Sequence, residues 1–209
     1  MKRIFIDVET DGIDSGVNNI IEIAVLFENG TDYSKSVFHE YILPEKKRDD
    51  FDEVSKNSHG LTWEFLEKNG NQERDVLGRF VEFLNNKIDK YDKTDKAFFI
   101  AYNAKFDNQF IYNMFVRHEI PNDKNNAYYG SYFRKGCAID IIPIVAATVE
   151  TGMLPVPENF RNPTIAKLLD IPLENAHSAL EDIKASRQIY LKCLQLLKIK
   201  RSKKEAEVG

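Results

Sequence analysis

Asp7 and Glu9 lie two residues apart at the end of the apolar run Ile4-Phe5-Ile6. In a strand, side chains at i and i+2 share a face, so this spacing places two carboxylates side by side. Such a pair repels itself unless a cation lies between the two groups. With 33 acidic side chains in 209 residues, chance alone gives about five acid-x-acid pairs, so the pair carries little meaning by itself. A second stretch, Asn103-Ala104-Lys105-Phe106-Asp107, falls where an apolar strand gives way to a helix. α/β folds place their sites at such strand ends. Asp107 is near the start of that helix, where the dipole favours a carboxylate, and simple capping is the competing explanation. A third stretch, His177-Ser178-Ala179-Leu180-Glu181-Asp182, opens the last helix. Ser178 and Glu181 have capping-box spacing. His177 then stands just outside the helix and Asp182 a little over one turn in, so the two can face a common point. On the residues alone, a surface or capping role for His177 stays open.

The elements that must position these residues can be read from the hydropathy pattern. Lys2–Glu9, Ile20–Phe27 and Val37–Leu43 read as three strands, with the turn Glu28-Asn29-Gly30 after the second and Pro44 stopping the third. Their short connections suggest an antiparallel meander. The chain from Glu45 to Asp52 is densely charged and reads as exposed. Val76, Phe80, Phe83, Leu84 and Ile88 have helical spacing within Asn71–Tyr91. Lys96–Asn103 returns to a strand whose unbroken apolar run suits burial on both faces. Phe106, Phe110, Met114 and Phe115 mark a helix, and Cys137–Ile142 a short strand running into another. A further helix begins at Asn162-Pro163, with proline early, where its missing N–H costs nothing. The last helix is expected from about Ala179 to Leu197, with Ile183, Tyr190, Leu194 and Leu197 on one stripe. A meander followed by alternating helices and strands describes an α/β domain with a mixed sheet.

Taken together, order and spacing resemble the DEDDh family of 3′→5′ exonucleases, which includes the proofreading epsilon subunit of bacterial DNA polymerase III, RNase T and oligoribonuclease. The family motif D-x-E-T-x-G stands as Asp7-Val8-Glu9-Thr10-Asp11-Gly12, N-A-x-F-D as Asn103 to Asp107, and H-x-A-x-x-D as His177, Ala179 and Asp182. His59-Gly60-Leu61-Thr62 resembles a fourth motif, H-G-I-T. The matches run from Asp7 to Asp182. Asp11 departs from the family's second threonine and adds a charge to the first motif. Asp140-Ile141 replaces a frequent Asp-Thr, and the segment from Glu119 to Gly136 is long.

The resemblance implies an RNase H-like exonuclease fold, a central mixed five-stranded β-sheet flanked by α-helices, over residues 1–197. It implies two divalent metal ions held by Asp7, Glu9, Asp107 and Asp182. An all-oxygen donor set selects Mg²⁺ or Mn²⁺ over zinc or copper. It further implies His177 as the base that takes a proton from the attacking water; an imidazole is largely neutral and basic at pH 7–8. Thr10 and Gly12 are expected near the terminal nucleotide. His59, Asn103 and Phe106 are candidate substrate contacts, with turn, cap and core-packing roles as the alternatives. Tyr128–Lys135 interleaves aromatic and basic residues, as stacking platforms and many edge strands both do. The expected substrate is the free 3′ end of single-stranded nucleic acid, DNA before RNA, with a polymerase as a possible partner. The rival readings are an exoribonuclease for RNA ends or short oligoribonucleotides, and a nucleic-acid-binding module with an eroded site. A two-His-one-carboxylate iron site lacks a well-placed second histidine.

Composition bounds these readings. The chain is 43% hydrophobic, which suits one globular domain. Its net charge of −4 argues against a broad basic clamp on nucleic acid. Four of its acids are the expected metal ligands, so metal loading brings the charge near neutrality and makes the site locally positive. Cys137 and Cys193 cannot form a disulfide framework or a cysteine-rich zinc site. Asp7 cuts the N-terminal apolar run before a signal sequence can form, and no apolar stretch approaches the roughly 18–20 residues of a membrane span. A cytoplasmic protein is therefore expected. Residues 198–209 carry five basic and two acidic side chains without apolar periodicity and read as a disordered tail.

Overall fold

The computed structural model describes the backbone of residues 1–30, 36–118, 127–173 and 178–208, and the side chains of these except residues 127, 128 and 199–208. Strand β1 (Lys2–Thr10) pairs antiparallel with β2 (Ile20–Asn29), from Lys2 opposite Asn29 to Glu9 opposite Glu22, and a bulge follows Glu9. Strand β3 (Val37–Tyr41) extends the meander on β2. On the other side β4 (Phe98–Ala101) runs parallel to β1, and β5 (Ile139–Asp140) parallel to β4. The order β3-β2-β1-β4-β5 is the mixed five-stranded sheet anticipated from the pattern.

The pleat of β1 sorts its side chains by face. Ile4, Ile6 and Val8 enter one core with Ile23, Val25 and Phe27 of β2. Helices α3 (Glu73–Asn85) and α4 (Ala104–Arg117) cover that face with Val76, Phe80, Phe110 and Met114. Phe5 enters the opposite core with Ala24 and Leu26. There α6 (Ile141–Glu150), α7 (Asn162–Leu168) and α8 (Ala179–Val208) supply Ile141, Val145, Ile165, Ile183 and Tyr190. Each fully buried side chain of this size contributes roughly 1.5–3 kcal/mol. Because the pleat has period two, Asp7 and Glu9 share the face of Phe5, the face that α8 covers.

Three elements differ from the sequence expectation. The charged stretch after Leu43 leads into α1 (Phe51–Asn57) and α2 (Trp63–Asn69), whose buried Phe51 and Leu66 form a satellite core with Ile21. One or two apolar anchors per helix are too few to show as a period. Tyr128–Lys135 is not an edge strand: residues Ala127–Tyr132 form helix α5, and Phe133 makes one parallel bridge with Ala97. Finally, α8 continues past Leu197 to Val208, a stretch without glycine or proline and rich in lysine and glutamate. Among the described residues no helix is long and apolar enough to cross a membrane.

Candidate active site

β4 pairs with β1 only from Arg3 to Phe5, so the β4-facing edge of β1 is unpaired beyond that point. The chain leaves β4 through Asn103, whose left-handed conformation (φ 69°, ψ 53°) turns it into α4. Asparagine tolerates that region better than most residues. Its N–H donates to Asp140 Oδ1 at 3.2 Å, tying the turn to the end of β5. The turn brings Asp107, in the first turn of α4, against the open edge of β1. There its Oδ1 accepts the Val8 N–H at 3.1 Å, filling the place β4 has vacated.

From the other face, the first turn of α8 delivers Asp182, whose N–H donates to Ser178 O at 2.9 Å. Asn162 Nδ2 donates to Ser186 Oγ at 3.0 Å and reaches Asp182 O at 3.4 Å, anchoring α7 beside this turn. Asp7, Glu9 and Asp182 each present one carboxylate oxygen, and these oxygens all lie within 4.8 Å of one another. Burial raises the Asp7 carboxyl well above its ordinary range, and the charges of Asp107, Glu9, Asp182 and Glu22 raise it further. Burial, then Glu22, Asp182 and Asp107, push Glu9 up to about 8. Asp107 is raised by burial and by Asp140, against the lowering effect of the Val8 N–H. Every charged group acting on Asp7 and Glu9 here is another carboxylate. Such a cluster suits a divalent cation: its donors are all oxygen, and a cation between them removes the repulsion.

The model of the RNase_T family, described as Exonuclease, matches residues 4–190. The chain belongs to this family. Its members are DnaQ-like 3′→5′ exonucleases of the RNase H-like superfamily, and the fold is theirs. The chain is 25% identical over 199 residues to a DNA polymerase III PolC-type of Thermotoga petrophila, covering 93% of this chain and 12% of that protein. It is 26% identical over 183 residues to the corresponding protein of Pediococcus pentosaceus, covering 87% of this chain and 10% of that one. Among solved structures, E. coli exonuclease I in complex with a dT13 oligonucleotide superimposes with a TM-score of 0.70 at 19% identity, covering 92% of this chain and 40% of that one. A zinc-bound exonuclease I–single-stranded DNA complex gives 0.72, also at 19% identity. This exonuclease chain therefore spans only about 12% of the PolC-type relatives and 40% of exonuclease I.

The carboxylate cluster has a further buried neighbour, Glu22, that no motif singles out. Glu22 stands opposite Glu9 in the β1–β2 register and is wholly buried. Its Oε1 lies 2.7 Å from His39 Nε2 and 3.5 Å from Ser178 Oγ, while Oε2 has no hydrogen-bond partner among the described residues. The signal was one glutamate inside Ile20-Ile21-Glu22-Ile23. The Ser178–Glu181 capping box does not form. The Ser178 hydroxyl donates across to Glu22, and Glu181 accepts from Lys184 at 2.6 Å. Asp11 is buried and serves the loop after β1, accepting Asn19 N–H at 2.7 Å and Asn19 Nδ2 at 2.8 Å.

The other expected residues divide. Thr10 Oγ1 donates to Gly12 O at 2.6 Å, and a Cβ on Gly12 would stand 2.6 Å from Asn18 Cγ, so glycine alone fits this loop. Thr10, Gly12 and Phe106 line one pocket of about 530 Å³ beside Glu9. Phe106 also packs on Phe110, ring centroids 4.8 Å apart, so it is both wall and core. His59 is buried; its Nδ1 accepts the Leu61 N–H at 3.0 Å, and its Nε2 has no partner among the described residues. Burial lowers its pKa, opposed by Glu22 and Asp11. Asn103 is exposed at the turn, where its side chain caps no helix N–H. His177 lies outside the described residues.

Proposed function

We propose that the chain removes nucleoside 5′-monophosphates one at a time from the 3′ end of single-stranded nucleic acid, with DNA as the preferred substrate. The observation that carries this reading is the meeting of Asp7, Glu9 and Asp182 within 4.8 Å, with Glu9 also lining a pocket of about 530 Å³. Asp7, Glu9, Asp107 and Asp182 would hold two divalent ions, Mg²⁺ or Mn²⁺. Bound there, the ions would supply charge stabilisation and water activation for in-line displacement at phosphorus. The residues do the rest. Asp107 keeps one oxygen on Val8 N–H, which fixes the orientation of the other. Because His59 Nδ1 accepts the Leu61 N–H, its proton sits on Nε2, a buried donor without a partner among the described residues. Phe106 and the Thr10–Gly12 backbone wall that nucleotide, with Asn103 at the adjoining turn. His177, placed by its motif one residue before Ser178, would take the proton of the attacking water at its imidazole nitrogen.

DNA is favoured over RNA because one set of relatives is named DNA polymerase III PolC-type and a structural neighbour was solved with dT13. The aligned region is part of a polymerase chain in those relatives, which supports proofreading beside a polymerase. The test is matched degradation, with Mg²⁺ or Mn²⁺, of single-stranded DNA, duplex DNA with a mismatched 3′ end, and RNA. Release of 5′-mononucleotides fastest from DNA supports the reading. Faster release from RNA replaces it with an exoribonuclease, and no release from any substrate removes it.

A further inference from the structure

On the far side of α4 from Asp107, the structure contains a groove of about 1140 Å³ between α4, α5 and the β4–β5 edge. Its charge is opposite to that of the molecule. The chain carries −4 overall, yet the groove is lined by Lys90, Lys93, Lys96, Lys105, Arg134 and Lys135, with Asp140 as the one carboxylate among the described lining residues. Asp140 is occupied with backbone N–H groups of Asn103 and Ile142. Lys96 donates to the carbonyls of Lys90 and Ser131, and Arg134 lies 4.9 Å over the Phe98 ring. Lys93, Lys105 and Lys135 point into solvent.

Aromatic rings are set among these charges. Lys105, Asn108, Gln109 and Tyr112 recur at helical spacing on the one stripe of α4 that lines the groove. Tyr112 is 44% exposed and is braced edge-on by Tyr129, ring centroids 5.7 Å apart; Tyr129 is itself hydrogen-bonded to Asn108. Tyr91, 85% exposed, stands at the other rim. A row of cations with ring faces between them is the chemistry that receives a phosphate backbone and unstacked bases. The groove begins at Ala104 and Lys105, next to the turn that carries Asn103 and within three residues of Asp107.

We propose that this groove binds the body of the single strand whose 3′ end lies at the carboxylates, with phosphates on the lysines and bases on Tyr112 and Tyr91. This rests on the exonuclease reading above and extends it from the terminal nucleotide to the nucleotides that follow. Tyr128–Lys135 then contributes through Tyr129, Arg134 and Lys135, while Tyr132 and Phe133 are core.

The test compares a trinucleotide with a 20-nucleotide single strand, on the wild type, on the triple variant Lys93→Glu/Lys105→Glu/Lys135→Glu, and on Tyr112→Ala. The trinucleotide should be hydrolysed within about twofold of wild type by both variants. On the 20-mer, kcat/KM should fall about tenfold or more in the triple variant, and several-fold in Tyr112→Ala. The dependence of log(kcat/KM) on log[salt] should flatten by about 2 in the triple variant, near 0.7 for each lost single-strand phosphate contact. Equal losses on both lengths, or no loss on either, overturn the proposal. Should the wild type hydrolyse neither substrate, the exonuclease reading fails and anisotropy of the labelled 20-mer decides the groove separately. Binding that the triple variant loses sustains it. Equal binding by both proteins, or capture of poly-glutamate in preference to the oligonucleotide, overturns it.

Discussion

Helix α8 lies over two clusters of buried charge on one face of the sheet, one closed by arginines and the other built of carboxylates. Toward the start of β1, Glu28 is 1% exposed and lies between two arginines. Arg187 Nε donates to Glu28 Oε2 at 2.7 Å, and Arg3 Nε stands 2.8 Å from Oε1 as an ion pair without hydrogen-bond alignment. Toward the end of β1, Asp7, Glu9 and Glu22 lie on the same face beneath Asp182 and Ser178, and the charges acting on Asp7 and Glu9 are all negative. Buried charges are normally paired, because an unpaired one loses its hydration without return. The arginine-bound end is a finished structural joint. At the carboxylate end the described groups acting on Asp7 and Glu9 are all acids, so protons or a cation from solution relieve the repulsion, as a metal-dependent site requires.

The largest effect should come from breaking the open end. Asp7→Asn or Asp182→Asn should reduce metal-dependent nucleotide release to background in a steady-state assay, a loss of at least about 10²-fold. The folded state should be retained, since each change removes a like charge from the cluster. Full activity in either variant would sink the proposed ligand set. Breaking the finished end should do the reverse. Arg187→Met should cost about 3 kcal/mol in denaturant unfolding, because it leaves Glu28 half-paired, while the activity per folded molecule stays at the wild-type level.

A smaller effect separates the two ends by pH. Glu9 has an ordinary pKa of 4.5 and is raised to about 8 in the fold. The folded state therefore holds its proton more tightly than the unfolded chain. The stability this contributes is complete below about pH 4.5 and is lost as pH rises through about 8. In EDTA, Tm should fall between pH 5 and pH 8, and Mg²⁺ or Mn²⁺ should restore it at pH 8. A metal-free Tm that rises over this window contradicts the assignment. The smallest effect belongs to the loop between β1 and β2. Asp11→Ala removes the acceptor of two Asn19 donors and should cost about 1–2 kcal/mol without abolishing activity.

The same contrast explains what the sequence made legible. Asp7, Glu9, Asp107 and Asp182 stand at element boundaries that carry their own signal, an apolar run ending or a helix beginning, but only the resemblance to the exonuclease family joins them into one ligand set. The five strands announced themselves through short runs of apolar, aromatic and β-branched residues. Glu22 was hidden by its surroundings, since one acid in an apolar strand reads as a solvent-facing residue until the register sets it opposite Glu9. Glu28 was hidden differently: it reads as the start of a turn, but β2 runs on through Asn29 and pairs Glu28 with Arg3, while Arg187 lies far away in sequence. Helices α1 and α2 bury too few residues to form a period, and α5 buries Tyr132 where a basic-aromatic stretch suggests an edge strand. The groove beside α4 was legible only as composition, because Lys93, Lys105 and Lys135 converge through the fold and not through the chain.

The most direct test of the central claim is calorimetric titration of Mn²⁺ into the metal-free protein at pH 8, comparing wild type, Asp7→Asn, Asp182→Asn and Glu28→Gln. We expect saturable binding by the wild type and by Glu28→Gln, and at least a tenfold loss of affinity in both aspartate variants. Undiminished binding by Asp7→Asn and Asp182→Asn would show that the carboxylate cluster under α8 is not the metal site.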